Sequence, residues 1–237
     1  MLKNNLMLLS PFRVMGYDSE NIIPEGGLGA VAAQVGVGKT ALLVQLALNA
    51  MMRDQKVLHI SLQDPVNKVS LWYHELFNNI AQQAQVAESA ETWEAILPNR
   101  FIMTFKVEGF NFPKLKERLT DLMVQNIFVP QIIIIDGLKF DEDVRETIVA
   151  LQAMAKRHAM RLWFTIHVHG YEELTIDEMP AGLLPLADLF DVIFKLQPEK
   201  GEICIKPLRS EATGSPALFL DAATMLIKDP DRGPKKL

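Results

Sequence analysis

The eight residues Ala33-Gln34-Val35-Gly36-Val37-Gly38-Lys39-Thr40 constrain this chain more than any other stretch. They follow the apolar run Leu28-Gly29-Ala30-Val31-Ala32 and precede a helix-prone stretch from Ala41 to Met52. A buried strand, a glycine-rich turn and a helix in succession predict a loop whose backbone N–H groups wrap an anion. The helix that starts there points its positive end at the same place. In such a loop Lys39 reaches the β- and γ-phosphates of a nucleotide and Thr40 holds Mg²⁺. The predicted nucleotide contacts are therefore Ala33, Gln34, Val35, Gly36, Val37, Gly38, Lys39, Thr40 and Ala41. Ala33 stands where the usual pattern has its first glycine, and alanine there is a known variant. An ordinary glycine-rich turn between strand and helix is the bland alternative.

The rest of the chain fits a soluble α/β protein. Of its 237 residues 49% are hydrophobic and 22% charged, which suits one large domain better than two. The net charge of −5 offers no general attraction to nucleic acid. A single cysteine, Cys204, excludes an internal disulfide framework and predicts a reducing, cytoplasmic compartment. The first nine residues lack the apolar core and cleavage site of a signal peptide. No uncharged apolar run approaches the ~18 residues of a membrane span, so no membrane is expected as a partner. The Pro- and charge-rich tail 229–237 is expected to be flexible and basic at its end.

Apolar runs alternate with amphipathic stretches. Strands are predicted at 29–33, 57–61, 101–105, 132–136 and 162–167, and helices at 39–52, 66–84, 112–125 and 142–158. Ile132-Ile133-Ile134-Ile135 is apolar and β-branched on both faces, as in a central parallel strand covered on both sides. The alternation implies right-handed βαβ units and a mostly parallel, twisted sheet. Residues 191–196, 202–207, 217–220 and 225–228 read as short strands, the first two joined by a Pro198-Glu199-Lys200-Gly201 turn. They predict an antiparallel C-terminal extension of the same sheet.

A nucleotide-bound metal needs an acid, and Asp136 at the end of the isoleucine run supplies one. Its bland alternative is a cap on the Gly137 turn. With these pieces in order, the chain resembles the RecA-like branch of P-loop ATPases, within it the replicative-helicase and KaiC-type group. The resemblance covers roughly residues 10–228. It is carried by Ala33–Thr40 after the glycine turn Pro24-Glu25-Gly26-Gly27, by His59-Ile60-Ser61-Leu62-Gln63-Asp64, by Asp136, by Phe164-Thr165-Ile166-His167, and by Ile205-Lys206-Pro207-Leu208-Arg209 with Ala212-Thr213-Gly214. It implies a three-layer α/β fold in one domain, 1–228, with ATP and Mg²⁺ as cofactors and Thr40 and Asp136 at the metal. Asp136 would hold Mg²⁺ through water. Lys39 would act on the phosphates and His167 would sense the γ-phosphate. Arg209 would reach a neighbouring subunit's nucleotide, which implies a homo-oligomer, a ring among the options, working with a further protein.

The departures from the family pattern bear on turnover. The family's water-activating glutamate is Gln63 here, and an amide orients water without taking its proton. The adjacent Asp64 substitutes for it if the chain has left the strand; otherwise it caps the next helix, with Pro65 at the first helical position. Slow or regulated ATP hydrolysis is expected, with a nucleotide-gated or non-hydrolysing binding module as the alternative. The family's lysine two positions before the arginine is Pro207 here, and Lys206 is offset by one. Lys206 and Arg209 then share a face only if a bulge intervenes, and Arg209 is otherwise a solvated residue near a sheet edge.

Other groups carry less. His167 and His169 lack a third ligand for a metal. Asp141, Glu142 and Asp143 suit the negative start of a helix. Trp72, Tyr73 and Phe77 recur at helical spacing and suit a core better than a base-stacking platform, while Trp93 suits the surface or a partner. The loops after the fourth and fifth strands, 137–143 and 169–178, set one lysine against seven carboxylates. Such loops repel a phosphate backbone, which argues against a DNA motor or helicase.

Overall fold

The structure is a computed structural model that describes residues 21–85, 89–106, 110–140, 144–168, 179–199, 201–209 and 218–228. Nine strands form one sheet in the order β3-β2-β4-β5-β1-β6-β7-β8-β9. The strands are β1 (Leu28–Ala33), β2 (Val57–Ser61), β3 (Arg100–Thr104), β4 (Ile132–Asp136), β5 (Arg161–His167), β6 (Val192–Glu199), β7 (Glu202–Arg209), β8 (Leu218–Leu220) and β9 (Ile227–Lys228). The pairings among β1 to β6 are all parallel, and those of β7, β8 and β9 are antiparallel. The expected α/β architecture, with a mostly parallel sheet and an antiparallel C-terminal extension, is thus observed.

Among the described residues five α-helices cover the sheet: α1 (Lys39–Met52), α2 (Val66–Gln83), α3 (Ser89–Ile96), α4 (Phe112–Val124) and α5 (Val144–Arg157). Strand alternation splits the apolar residues between two cores. Ile132 and Ile134 pack with Leu48 of α1, Phe77 of α2 and Ile96 of α3. Ile133 and Ile135 pack on the opposite face with Leu119 of α4 and Ile148 of α5. The isoleucine run is apolar throughout because both of its faces are covered.

Helix α1 is unusual in being buried from Ala41 to Met52 all round. Its sequence is apolar on every side, as a helix enclosed by other elements requires. One of its two buried polar residues ties down the end of the chain. The Gln45 amide donates to the Met225 carbonyl at 2.7 Å and accepts from the Ile227 N–H at 3.1 Å. The short β8–β9 hairpin is thereby fastened across α1.

Several boundaries shift. The predicted elements do not include α3 or the 3-10 helix Leu184–Leu189, both too short to show a sustained helical period. Pro198 and Glu199 belong to β6, Glu199 pairs with Glu202, and Gly201 has φ +88°. Asp64 does not cap α2, because Pro65 itself is the N-cap residue and no side chain caps that end. Arg209 pairs with Ile193 and Pro207 with Phe194, which leaves Leu208 as an extra residue. The conditional bulge is therefore present. It puts Lys206, opposite Lys195, and Arg209 on one face of the sheet. Residues 141–143, 212–214 and the tail 229–237 lie outside the described residues, and so do His169 and the loop 169–178. Among the described residues no helix is long and apolar enough to cross a membrane.

Gly29 illustrates how closely β1 is packed. A Cβ there would stand 2.6 Å from the Trp163 ring, which stacks on Phe194 at 6.3 Å between centroids. Gly29→Ala is expected to destabilise the fold by about 1–3 kcal/mol through overpacking. Urea unfolding followed by tryptophan fluorescence measures this, and an unchanged midpoint would contradict the packing described.

Candidate functional site

Parallel strands end at the same edge of a sheet, and side chains at those ends converge. Here β1 ends at Ala33 beside His167 of β5, and β2 ends at Ser61 beside Asp136 of β4. The segment 34–38 leaves β1 over this edge and turns into α1. Gly36 and Gly38 have φ of +79° and +102°, a region closed to most side-chain-bearing residues. Gly38 is the N-cap of α1, no side chain caps that end, and the first turn carries no acid. The helix start is thus left for an anion from outside. Val37, 8% exposed, pins the loop into the core below, while Gln34 and Val35 stand in solvent.

Beside this loop lies a cleft of about 710 Å³. That is within the ~300–1,000 Å³ usual for small-molecule sites. Gly36, Lys39, Thr40, Gln63, Asp136 and His167 line it, with Asp64 and Thr165. Lys39 folds back over the loop and donates to the carbonyls of Ala33 at 2.9 Å and Gln34 at 2.8 Å. Burial pulls its ammonium below the ordinary lysine range, against the opposing charge of Asp136.

Asp136 is the hub. Its Oδ2 accepts from the Thr40 hydroxyl at 2.8 Å across 96 residues of chain. Its Oδ1 accepts from the Thr165 hydroxyl at 2.7 Å, and that hydroxyl accepts from the Gly137 N–H at 2.9 Å. Burial pushes the Asp136 carboxyl up; His59, Thr165 and Thr40 together outweigh it and hold the carboxyl below its usual range. His59 is fully buried, with Nδ1 3.1 Å from the Tyr73 hydroxyl and Nε2 3.8 Å from Asp136 Oδ2. The Nε2 atom has no hydrogen-bond partner within reach. Burial raises the Tyr73 phenol, so it stays protonated. A neighbouring carboxylate favours the imidazole proton on Nε2, the nitrogen facing it, and Tyr73 then donates to Nδ1.

Beyond Ser61 the chain has left the strand. The Asp64 N–H donates to the Ser61 hydroxyl at 2.9 Å, and this turn lets both Gln63 and Asp64 face the cleft. The alternation that would have parted them does not apply. Gln63 lies over Gly137, where an added Cβ would meet its Cγ at 2.8 Å. Asp64 is paired with Lys68 at 2.8 Å, one turn along α2. His167 lines the exposed rim. Arg209 is not among the cleft residues. It is exposed at the end of β7, where its charge adds to that of Arg145 in lowering the Asp188 carboxyl.

The structure therefore brings together Ala33–Ala41, Gln63, Asp64, Asp136 and His167 and leaves Arg209 outside. Thr165, His59 and Tyr73 were given no part in the site by sequence, Tyr73 being read as core. The available signal was a polar residue inside an apolar strand, His59 in Leu58-His59-Ile60 and Thr165 in Phe164-Thr165-Ile166, on the face that alternation turns toward α1. Among the described residues no three His, Cys, Asp or Glu side chains group as a protein-only metal cage. The Thr40 hydroxyl and the Asp136 carboxylate are hard oxygen donors at an open site. Mg²⁺ typically uses such a pair, completing its shell with water and phosphate. No protein-family model matches the chain, and a comparison with curated proteins finds no match.

A depressed folded-state carboxyl contributes stability that is complete above the unfolded value of about 3.9 and is lost as pH falls through the lower folded value. Thr165→Val removes one cause of the depression at Asp136. The variant is expected to lose about 1–3 kcal/mol at neutral pH, and its deficit in urea midpoint should shrink as pH falls through the folded Asp136 value, leaving the part due to the lost acceptor for the Gly137 N–H. A deficit wholly independent of pH would show that the Thr165 hydroxyl does not act through the Asp136 charge.

Proposed function

We propose that this chain is a RecA-like protein that binds Mg–ATP in the cleft above β1, β4 and β5. The observation that carries the proposal is the meeting of the Thr40 hydroxyl and the Asp136 carboxylate at 2.8 Å, beside Lys39 and an uncapped helix start. A nucleotide's phosphates fit the loop N–H groups and Lys39, with Thr40 and Asp136 at the metal. Bound Mg²⁺ supplies charge neutralisation on the β- and γ-oxygens. Lys39 must leave the Ala33 and Gln34 carbonyls to reach those oxygens, so the loop is latched until anion arrives. Thr165 and His59 hold Asp136 ionised and aimed, Gln63 orients water, and His167 at the rim senses the terminal phosphate.

Hydrolysis in this reading is weak or regulated. Gln63 takes no proton, and Asp64, the other carboxylate lining the cleft beside Asp136, is paired with Lys68. The same pairing favours the second reading, a nucleotide-gated binding module with no turnover. The chain works as an oligomeric regulator or assembly component in a cytoplasmic setting, with a protein partner. Arg209 stands away from its own cleft, on a surface from which it can reach a second copy. A DNA motor is the weaker reading, given the acidic composition of the segments 137–143 and 169–178.

Calorimetric titration with Mg–ATP is expected to show binding by the wild type. Lys39→Ala should weaken it by tenfold or more, and Asp136→Asn should abolish the advantage of Mg–ATP over ATP in chelator. Absence of binding by the wild type would overturn the proposal. For turnover, steady-state phosphate release should exceed the Lys39→Ala background and fall to it in Asp64→Asn. A wild-type rate already at the Lys39→Ala background and unchanged by Asp64→Asn selects the non-hydrolysing module.

A further inference from the structure

The cleft is also lined by Trp72, Leu138, Phe140 and Met225, apolar side chains that the phosphate chemistry does not use. Lys68 and Trp72 line the cleft one helical turn apart on α2, with Asp64 a turn before them. Trp72 departs from its aromatic neighbours: Tyr73 and Phe77 are fully enclosed in the core, while Trp72 is half-buried on the cleft. Trp93 and Trp163 each pack against other rings. Among the described ring pairs Trp72 enters none.

Met225 lines the same cleft from the β8–β9 turn. Its φ is +56°, the left-handed region that a side chain makes unfavourable. The strain is held by a full set of bonds. The Met225 N–H donates to the Asp221 carbonyl at 2.7 Å, and the Met225 carbonyl accepts from Gln45 of α1 at 2.7 Å. The Asp221 carboxylate accepts from the N–H groups of Ala223 and Thr224, and the Thr224 carbonyl accepts from Asn79 of α2 at 3.1 Å. The turn is therefore clamped between α1 and α2, with the Met225 sulfur 3.4 Å from where a Cβ of Gly38 would stand. Strain maintained in this way is characteristic of ligand-facing positions.

Two relations place these residues along a bound nucleotide. The Met225 carbonyl lies at Gln45, one turn past Ala41, and its side chain reaches back beside Gly38 at the start of α1. Trp72 lies six residues past Val66, the first residue of α2, about 9 Å along the helix from the turn that holds Gln63 and Asp64. That is comparable with the reach from a terminal phosphate to the base of an extended nucleoside triphosphate. Asn79 is seven residues past Trp72, hence on the same face of α2, and touches the turn that carries Met225.

We propose that Trp72 and Met225 form a nucleobase site, in which an aromatic base stacks on the indole and the Met225 thioether supplies the second apolar wall. The inference rests on the nucleotide-binding reading of the cleft and adds to it two apolar side chains that phosphate alone does not engage. Base–aromatic stacking and sulfur–aromatic contact are the forces concerned.

The test compares Mg–ATP with Mg–tripolyphosphate by calorimetry on the whole chain. Wild type should bind ATP more tightly than tripolyphosphate. Trp72→Ala should lose about tenfold or more for ATP while its tripolyphosphate affinity stays within about twofold. Trp72→Phe, which keeps an aromatic face in the same packing, should retain most of the ATP affinity. Lys39→Ala should weaken both ligands. Equal affinity of wild type for the two ligands overturns the base site and leaves the phosphate site standing. A Trp72→Ala that weakens both ligands alike, or neither, also overturns it. Binding of neither ligand by wild type overturns the nucleotide reading and the base site with it.

Discussion

The arrangement of the cleft depends on one buried carboxylate. Asp136 is held by hydroxyls from two other elements, Thr40 at the start of α1 and Thr165 in β5, with the His59 imidazole behind it. An ionised carboxylate below the surface is costly unless its lone pairs are occupied. The sheet order provides that occupancy. β5 lies between β4 and β1, so Thr165 fills the gap between Asp136 and the helix that follows β1. The ties that stabilise Asp136 also fix where the loop 34–38 sits over the strand ends.

That hub needs a rigid support, and α1 supplies it. A helix buried on all sides cannot shift without disturbing α2, the sheet and the C-terminal hairpin together. Gln45 makes the coupling explicit, since one amide holds both the carbonyl of Met225 and the N–H of Ile227. The antiparallel strands, whose Ile203, Ile205, Leu218, Leu220 and Ile227 join the core around α1, thereby also carry a wall of the cleft. The strained Met225 is the local consequence. The acid–amide pair at the end of β2 shows the opposite design: Asp64 and Gln63 sit on a turn, and Asp64 is engaged by a flexible surface lysine. Ion pairs of that kind are worth little in water, so the arrangement is easily remodelled.

Much of this was legible in the sequence. Helix α1 begins and ends where the apolar pattern places it, and β2 and β4 do likewise, because long periodic runs leave no other burial. Asp136 was identifiable as an acid closing an apolar strand. Thr165 and His59 were not, since an isolated polar residue in a strand is ambiguous until the strand order shows what lies opposite. Lys206 and Arg209 share a face only through the extra residue Leu208. A bulge is a pairing between strands and leaves no firm mark on either one alone. Trp72 followed the helical spacing of core residues, yet its face of α2 borders the cleft.

The sequence by itself determined the local order of strand, glycine loop and helix, the chemistry of Lys39, Thr40 and Asp136, and the two-sided burial of β4. Those properties follow from backbone preference and hydrophobic period, which act over a few residues. The tertiary structure alone decided that Thr40, Asp136 and Thr165 meet, that Asp64 is tied to Lys68, that Arg209 stands apart from its own cleft, and that Met225 roofs the loop. Each of these joins residues distant in sequence or depends on where the chain leaves a strand. Only strand order, register and helix packing, set by the burial of both sheet faces at once, fix such relations.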